Sequence, residues 1–333
     1  MNLTWIVFSP LKKLGTQLSS PLASVRYRSL IPARELAQRH NIQIIPFLPP
    51  STVNELLPLL KNADAVIFSK SVHPATQQLA FQIKQLGIRL YFDICDHHFE
   101  HPEYANYYQE MTEIADKIIV NTPYMADIVT HYTNRQTTVI ADPYEGPRGL
   151  PHFLPGKTKL RLLWFGHPVN LDTLTNFIPQ LLNFAQTIPL ELHLVSMFTP
   201  QFERIYFELQ QQVGKNLSLR FSPWSLTATW NALHATDIVI IPSLPTEQKR
   251  PKSANRLIES IQAGRFVVAY PLPAYQPFAQ WVWVNDQLIT GIEWALQHPQ
   301  QVIQQLTQAQ SILEFSFSPV SIARQWEQVL NQP

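Results

Sequence analysis

Short apolar runs recur along this chain, and segments of helical period separate nearly all of them. In the first half the runs are LTWIVF (3–8), IQIIPF (42–47), AVIF (65–68), IRLYFD (88–93), KIIV (117–120) and TTVI (137–140). Helical stretches near 24–39, 52–61, 74–86, 103–115 and 123–131 lie between them. Runs that are apolar on both faces need cover on both sides, so the pattern predicts a parallel sheet with helices packed on each face. Residues 141–158, ADPYEGPRGLPHFLPGKT, break the rhythm with prolines and glycines and read as an interdomain connection. The alternation then restarts with LRLLWF (160–165), LELHLV (190–195), LSLRF (217–221), DIVIIP (237–242) and RFVVAY (265–270). Helices are expected near 171–187, 200–212, 225–235 and 253–263, and three further helical segments close the chain. The expected architecture is α/β: two doubly wound domains in tandem, facing across a cleft. Their spans are 1–145 and 159–315, with 146–158 as the linker.

A length of 333 residues is too great for one ordinary core and suits two domains of about 150 residues. The formal net charge of +1 argues against nucleic acid as the main partner. The single cysteine, Cys95, rules out an internal disulfide and fits a reducing compartment. No apolar run approaches the roughly 20 residues of a spanning helix, and no leader pattern opens the chain, so a cytoplasmic protein is expected. Residues 1–40 carry Lys12, Lys13, Arg26, Arg28, Arg34 and Arg39 against Glu35 alone. That asymmetry reads as a solvated surface or as a peripheral contact with anionic lipid at the inner membrane face.

Ligands of doubly wound sheets bind beyond the carboxyl ends of the strands. One such position carries KRPKSANRLIESIQAG (249–264), after the run DIVIIPS. On a helix from Ser253, residues Ala254, Leu257, Ile258 and Ile261 share an apolar face, and Lys252, Asn255, Arg256 and Glu259 share a polar one. The polar face begins at the helix N-terminus, which favours an anion, and Lys249, Arg250 and Lys252 add charge there. Glu259 is spaced to accept hydrogen bonds from a diol while the cations hold phosphate. A phosphate and a ribose on one helix make a nucleotide site. The competing reading is a solvated face with an Arg256–Glu259 pair, which contributes little.

The segment KSANRLIESIQAGRFVVA, preceded by DIVIIPS, resembles the donor-binding segment of glycosyltransferases with the GT-B fold, particularly the large family 4 group. ASVRYRSLIPARELAQRH (23–40) is similar to the first helix of such enzymes, and YFDICDHHF (91–99) to a strand-end segment of their acceptor domain. LLWFGHPVNLDTL (162–174) resembles the strand, glycine turn and helix that open the donor domain, and LRFSPWSLTATWNALHATDIVIIPS the base-binding region. The resemblance implies two facing Rossmann-like domains and a sugar moved from a nucleoside-diphosphate sugar to a hydroxyl of a glycan or lipid-linked acceptor. The last helix, 319–330, would cross back onto the first domain. By position, Glu259 matches the ribose-binding glutamate, and Lys252, Ser253, Asn255 and Arg256 the segment beside the diphosphate. Phe221 to Trp224 match the loop for the base, and Gly166 and His167 the turn facing the phosphates. The family pattern has another glutamate eight residues before Glu259, where this chain has Pro251. That departure leaves the stereochemical course open and assigns the positive charge for the leaving diphosphate to Lys249, Arg250 or Lys252. No Asp-x-Asp occurs, so a metal-independent reaction with no cofactor is expected. A non-catalytic nucleotide-sugar binder and a nucleotide-sugar 2-epimerase of the same fold are the alternatives.

Asp93, Asp96, His97, His98 and His101 form a second constellation at a strand end. Asp96 and His97 are its candidates for a general base or acceptor contact. The competing readings are a helix cap by Asp93 or Asp96, and a metal site, for which the spacing fits no defined pattern. Arg26 and Arg28 are candidates for cleft contacts or plain surface cations. Trp224 and Trp230 read as core residues, with only Trp224 placed in a ligand loop, while His73, His152 and His234 show no partner pattern. No G-x-G-x-x-G follows a strand and no G-x-x-x-x-G-K-S/T occurs, so dehydrogenase and P-loop readings lose their support.

Overall fold

The computed structural model describes residues 1–70, 72, 75–155 and 158–332. The chain divides into two compact units. The first comprises Met1–Glu145, Pro251–Ser253 and Ser316–Pro333, and the second Gly146–Arg250 and Ala254–Phe315.

The first unit contains β1 (Asn2–Val7), β2 (Lys12–Leu14), β3 (Gln17–Ser19), β4 (Asn41–Pro46), β5 (Ala65–Ser69), β6 (Arg89–Ile94), β7 (Lys117–Val120) and β8 (Thr138–Val139). Six of these form a parallel sheet in the order β4-β1-β5-β6-β7-β8. Alternate residues face opposite layers, as the two-residue period of a strand requires. Ile6, Val66, Phe68, Leu90 and Phe92 enter one apolar cluster, while Trp5, Val7, Ile67, Tyr91 and Ile119 enter the other. The strands are apolar on both sides because both sides are covered. The last helix, Pro319–Leu330, begins at Ser318, whose side chain caps Ser321, and buries Ile322, Trp326, Val329 and Leu330 in the second layer. Trp326 meets Trp5 edge to face at 5.8 Å.

The second unit contains β9 (Leu160–Phe165), β10 (Leu190–Ser196), β11 (Leu217–Pro223), β12 (Ile238–Ile241), β13 (Phe266–Ala269) and β14 (Trp283–Val284). All six are parallel, in the order β11-β10-β9-β12-β13-β14. Every residue of β12 and β13 is buried.

Several expectations needed correction. The loop after β1 holds an antiparallel hairpin, β2 with β3, turned at Gly15, whose φ of 61° a side chain disfavours. Its strands are too short and exposed to show a pattern. The helix expected over 24–39 is irregular, with a π-helical turn at Arg26–Leu30, and ends at Leu36. The helix expected over 171–187 is two, Leu171–Thr175 and Ile178–Phe184, because Pro179 cannot donate within a continuous helix and opens a new one. Residues 146–158 are not a free linker where described. Gly149 donates to the Gln262 carbonyl at 2.8 Å, His152 to that of Gly264 at 3.0 Å, and Phe153 is fully buried. Prolines made this stretch irregular without making it loose.

Candidate functional site

The strand order of the second unit reverses between β9 and β12. In an open parallel sheet that reversal splays the loops on either side and opens a crevice at the carboxyl ends. Gly166 follows β9 directly, and the helix Asn255–Gln262 is the first helix after β12. Gly166 donates its N–H to the Val195 carbonyl at 3.1 Å and accepts from Ser196 Oγ at 2.9 Å, so the turn is held rigidly to β10. A Cβ at Gly166 would lie 3.4 Å from Nη1 of Arg256, and that nitrogen donates to the Phe165 carbonyl at 3.5 Å. The turn and the guanidinium expected to face one diphosphate are therefore neighbours. Asn255, at the first position of the helix, keeps its Oδ1 buried without a partner.

His167 caps the short helical turn after β9 by accepting from the Val169 N–H at 3.2 Å, and its side chain is exposed. Lys249 reaches the same region, with Nζ donating to Asn170 Oδ1 and lying 3.8 Å from Asp172. Arg250 pairs with Glu247 at 3.4 Å. Trp224 is half-buried and is tied by its N–H to the Ser196 carbonyl at 2.8 Å. Phe221 is not in a loop: it lies in β11 and stacks obliquely on Phe202 at 4.5 Å.

Glu259 differs from the solvated carboxylate that helical spacing predicts. The helix starts at Asn255, two residues later than expected, so Glu259 stands one turn in, and it is only 6% exposed. Its Oε2 accepts the Gly146 N–H at 2.9 Å. A Cβ at Gly146 would come within 2.7 Å of that oxygen and 2.8 Å of Trp230 Nε1, so only glycine fits there. Trp230, read from sequence as core, is half-buried beside the carboxylate. The other side of the helix is also covered, since Ser260 and Gln262 are buried.

In the first unit the order reverses between β1 and β5, and the residue after β5 is Lys70. It takes a left-handed backbone with φ of 47°, a conformation that non-glycine residues adopt at some cost and that clusters at ligand sites. Its ammonium lies 2.7 Å from Asp96 Oδ2, and Lys252 donates to Oδ1 of the same carboxylate. Burial alone would raise the Asp96 carboxyl, but Lys252 and Lys70 outweigh it and hold the group far below the usual carboxylate range. So paired, the carboxylate stays ionised at neutral pH. The His97 side chain is 7% exposed and packs against Phe99 and Tyr132 at 6.2 and 5.6 Å between centroids. His98 is pushed down to about 4, chiefly by burial, with Lys70, Lys252 and His101 adding and Asp96 opposing. It is therefore a neutral ring at pH 7. His101 stacks on Tyr104 at 4.4 Å.

Asp93 caps no described helix. It is buried in β6, where it accepts from Arg28 Nη2 at 2.6 Å and from Ser69 Oγ at 2.7 Å. Arg28 also donates to Asp142 at 3.0 Å and is 1% exposed. Arg26 donates to Glu145 at 2.9 Å and to the Ser20 carbonyl at 2.8 Å. Neither arginine is a surface cation, and both are engaged in holding the fold. Arg34 and Arg39 are exposed and pair with Glu35 and Glu327, while Lys12 and Lys13 are exposed on the hairpin. Among the described residues no group of three or more His, Cys, Asp or Glu is placed to hold a metal ion. No described helix is long and apolar enough to cross a membrane. His73 lies outside the described residues, and His152 and His234 engage through backbone atoms.

Sequence reasoning missed Lys70, Trp230 and the glycine at 146. The strand-end position of Lys70 was the one available signal.

No family model matches this sequence, and no curated protein matches it. Solved structures do. HepE of Anabaena, in complex with UDP, matches with a TM-score of 0.72 at 14% identity over 99% of both chains. A glycosyltransferase from Rickettsia africae matches with a TM-score of 0.71 at 12% identity, over 99% of this chain and 97% of that one. An Escherichia coli trehalose-6-phosphate protein bound with UDP-2-fluoro glucose matches with a TM-score of 0.68 at 12% identity, over 100% and 99%. The fold is that of the GT-B glycosyltransferases.

Proposed function

We propose that this protein is a glycosyltransferase that moves a sugar from a nucleoside-diphosphate sugar to a hydroxyl acceptor. The observation that carries the reading is the apposition of Gly166 and Arg256 at the strand-order reversal of the second unit. The start of the helix Asn255–Gln262 supplies outward N–H groups there, and Arg256 and Lys249 supply charge. Glu259, one turn behind, is the hydrogen-bond acceptor for ribose hydroxyls. Two of the similar structures hold UDP or a UDP-sugar, which supports a uridine donor.

Sugar transfer builds negative charge on the departing diphosphate as the anomeric carbon gains oxocarbenium character. Fixed cations and backbone N–H groups stabilise that charge without reorganising. In this reading Arg256 and Lys249 do so without a metal. A glycan or lipid-linked carbohydrate acceptor is the further proposal, within polysaccharide biosynthesis at the cytoplasmic side. Lys12 and Lys13 on the hairpin, with the exposed Arg34 and Arg39, are the basis for a peripheral membrane contact.

A thermal-shift screen against UDP, GDP, dTDP, CDP and CMP, with and without EDTA, tests the donor site. At about 100 times Kd a ligand bound only by the folded state stabilises it by about 2.7 kcal/mol. Stabilisation by one nucleotide, unchanged by EDTA and lost in Glu259→Ala, is the expected result. A flat response to all five nucleotides would remove the donor-site reading and leave a non-catalytic protein of this fold.

A further inference from the structure

Glu259 is fixed from outside its own helix. Its Oε2 accepts the Gly146 N–H at 2.9 Å in a buried contact. That oxygen and Nε1 of Trp230 share the space over the Gly146 α-carbon, 2.7 and 2.8 Å from where a Cβ would stand. Residue 146 is itself held. Three positions on, Gly149 donates to the Gln262 carbonyl at 2.8 Å, and a Cβ there would meet the Ala263 carbonyl oxygen at 2.3 Å. Gln310, 1% exposed, closes the same turn by donating from Nε2 to the carbonyls of Gly149, Ile261 and Gln262 at 2.8, 3.0 and 3.0 Å. Segment 146–149 therefore runs along the helix Asn255–Gln262 and is pinned at both ends. All of these residues belong to the second unit.

We propose that Gly146 and Trp230 are positioning residues for the Glu259 carboxylate, and that through it they make the site select a ribonucleotide over its 2′-deoxy form. This rests on the donor-site reading above. A glutamate side chain in solvent loses rotamer freedom when it grips a diol, whereas one already anchored has lost it on folding. A backbone N–H on one carboxylate oxygen also fixes the plane of the group, and with it the direction from which hydroxyls approach. Glycine is what this arrangement demands. The three atoms nearest a Cβ at 146 are side-chain atoms of Glu259 and Trp230, and the carboxylate is the end of a flexible chain. Alanine there moves the acceptor and leaves the helix in place. A merely structural contact, when cut, would lower stability or weaken every nucleotide alike. A positioning contact changes the ratio between ribose and deoxyribose forms.

The test is calorimetric titration of the full-length chain with UDP and 2′-deoxy-UDP, with GDP and 2′-deoxy-GDP alongside and inorganic pyrophosphate as the control for the diphosphate contact. Wild type is expected to prefer the ribose form by about tenfold, the lower range for one hydrogen bond to a charged group. In Gly146→Ala that preference should fall to about two-fold or less, because the acceptor no longer meets the hydroxyl in line, with pyrophosphate binding unchanged. In a Glu259→Ala background Gly146→Ala should change the ratio no further, because the residue through which it acts is gone. If Gly146→Ala fails to fold, Trp230→Phe, which keeps a ring and removes Nε1, carries the same cycle with a loss in the same direction. A wild-type preference that survives the substitution overturns this proposal alone. So does a Gly146→Ala effect that persists without Glu259, or a wild type that binds the ribose and deoxyribose forms alike. A wild type that binds none of the four nucleotides overturns the donor-site reading, and this proposal with it.

Discussion

Replacing Arg28 by methionine should lower the stability of the first unit by about 3–5 kcal/mol, the range for removing one partner from a buried ionic network. Its guanidinium satisfies Asp93 through Nε and Nη2, and Asp142 and the Ile140 carbonyl through Nη1. Burial disfavours the charged guanidinium, but the two carboxylates outweigh it and raise its proton affinity above the ordinary value. Methionine fills much of the volume and strands both carboxylates in a dry interior. Arg28→Lys should recover less than half of the loss, because an ammonium cannot present the planar fork that spans Asp93 and Asp142 together. Urea unfolding followed by tryptophan fluorescence reports the change, since Trp5 and Trp326 pack in the same layer and the guanidinium lies 6.0 Å from the Trp326 ring. A loss below about 1 kcal/mol, as for an exposed pair, would mean the network is not what holds this layer.

Arg256→Ala is expected to reduce sugar transfer by about 10² to 10³, the usual effect of deleting one preorganised donor at the site of developing charge. The fold should barely notice. The Arg256 side chain makes one long hydrogen bond, at 3.5 Å to the Phe165 carbonyl, and is half-buried. A melting temperature close to wild type with turnover reduced a hundredfold separates a role in chemistry from a role in packing. Arg256→Lys should restore part of the rate, because a point charge at the Gly166 turn still opposes the leaving diphosphate. An Arg256→Ala variant that turns over at the wild-type rate would take the leaving-group role away from this residue.

The sheets were legible because each central strand is buried on both faces and so reads as an unbroken apolar run. KIIV at 117–120 and LRLLWF at 160–165 coincide with β7 and β9 to the residue. The helix over 200–212 was equally plain, with Thr199 capping and Pro200 at its first position. The hairpin was hidden because neither of its three-residue strands buries a face.

At the site, residue types were legible and their states were not. Arg28 and Asp93 are 65 positions apart, Lys252 and Asp96 are 156 apart, and Gly146 and Glu259 are 113 apart. No local spacing carries such pairings. A helix-period argument placed Glu259 on a polar face of a helix from Ser253, whereas the helix starts at Asn255 and Glu259 is buried one turn in. It had no means of knowing that residue 146 returns to cover that face. Asp96 reads from sequence as a candidate base or acceptor contact because a strand-end carboxylate can serve as either. The lysines that hold it ionised are Lys252, 156 positions away, and Lys70 at another strand end, where a single lysine has no pattern to announce it.

The most direct measurement is a crystal structure of this protein grown with UDP. The account predicts the diphosphate within hydrogen-bonding distance of the Arg256 guanidinium and the turn at Gly166 and His167, with the ribose hydroxyls on Glu259. UDP bound elsewhere, with Arg256 still turned to the Phe165 carbonyl and Glu259 untouched, would contradict it.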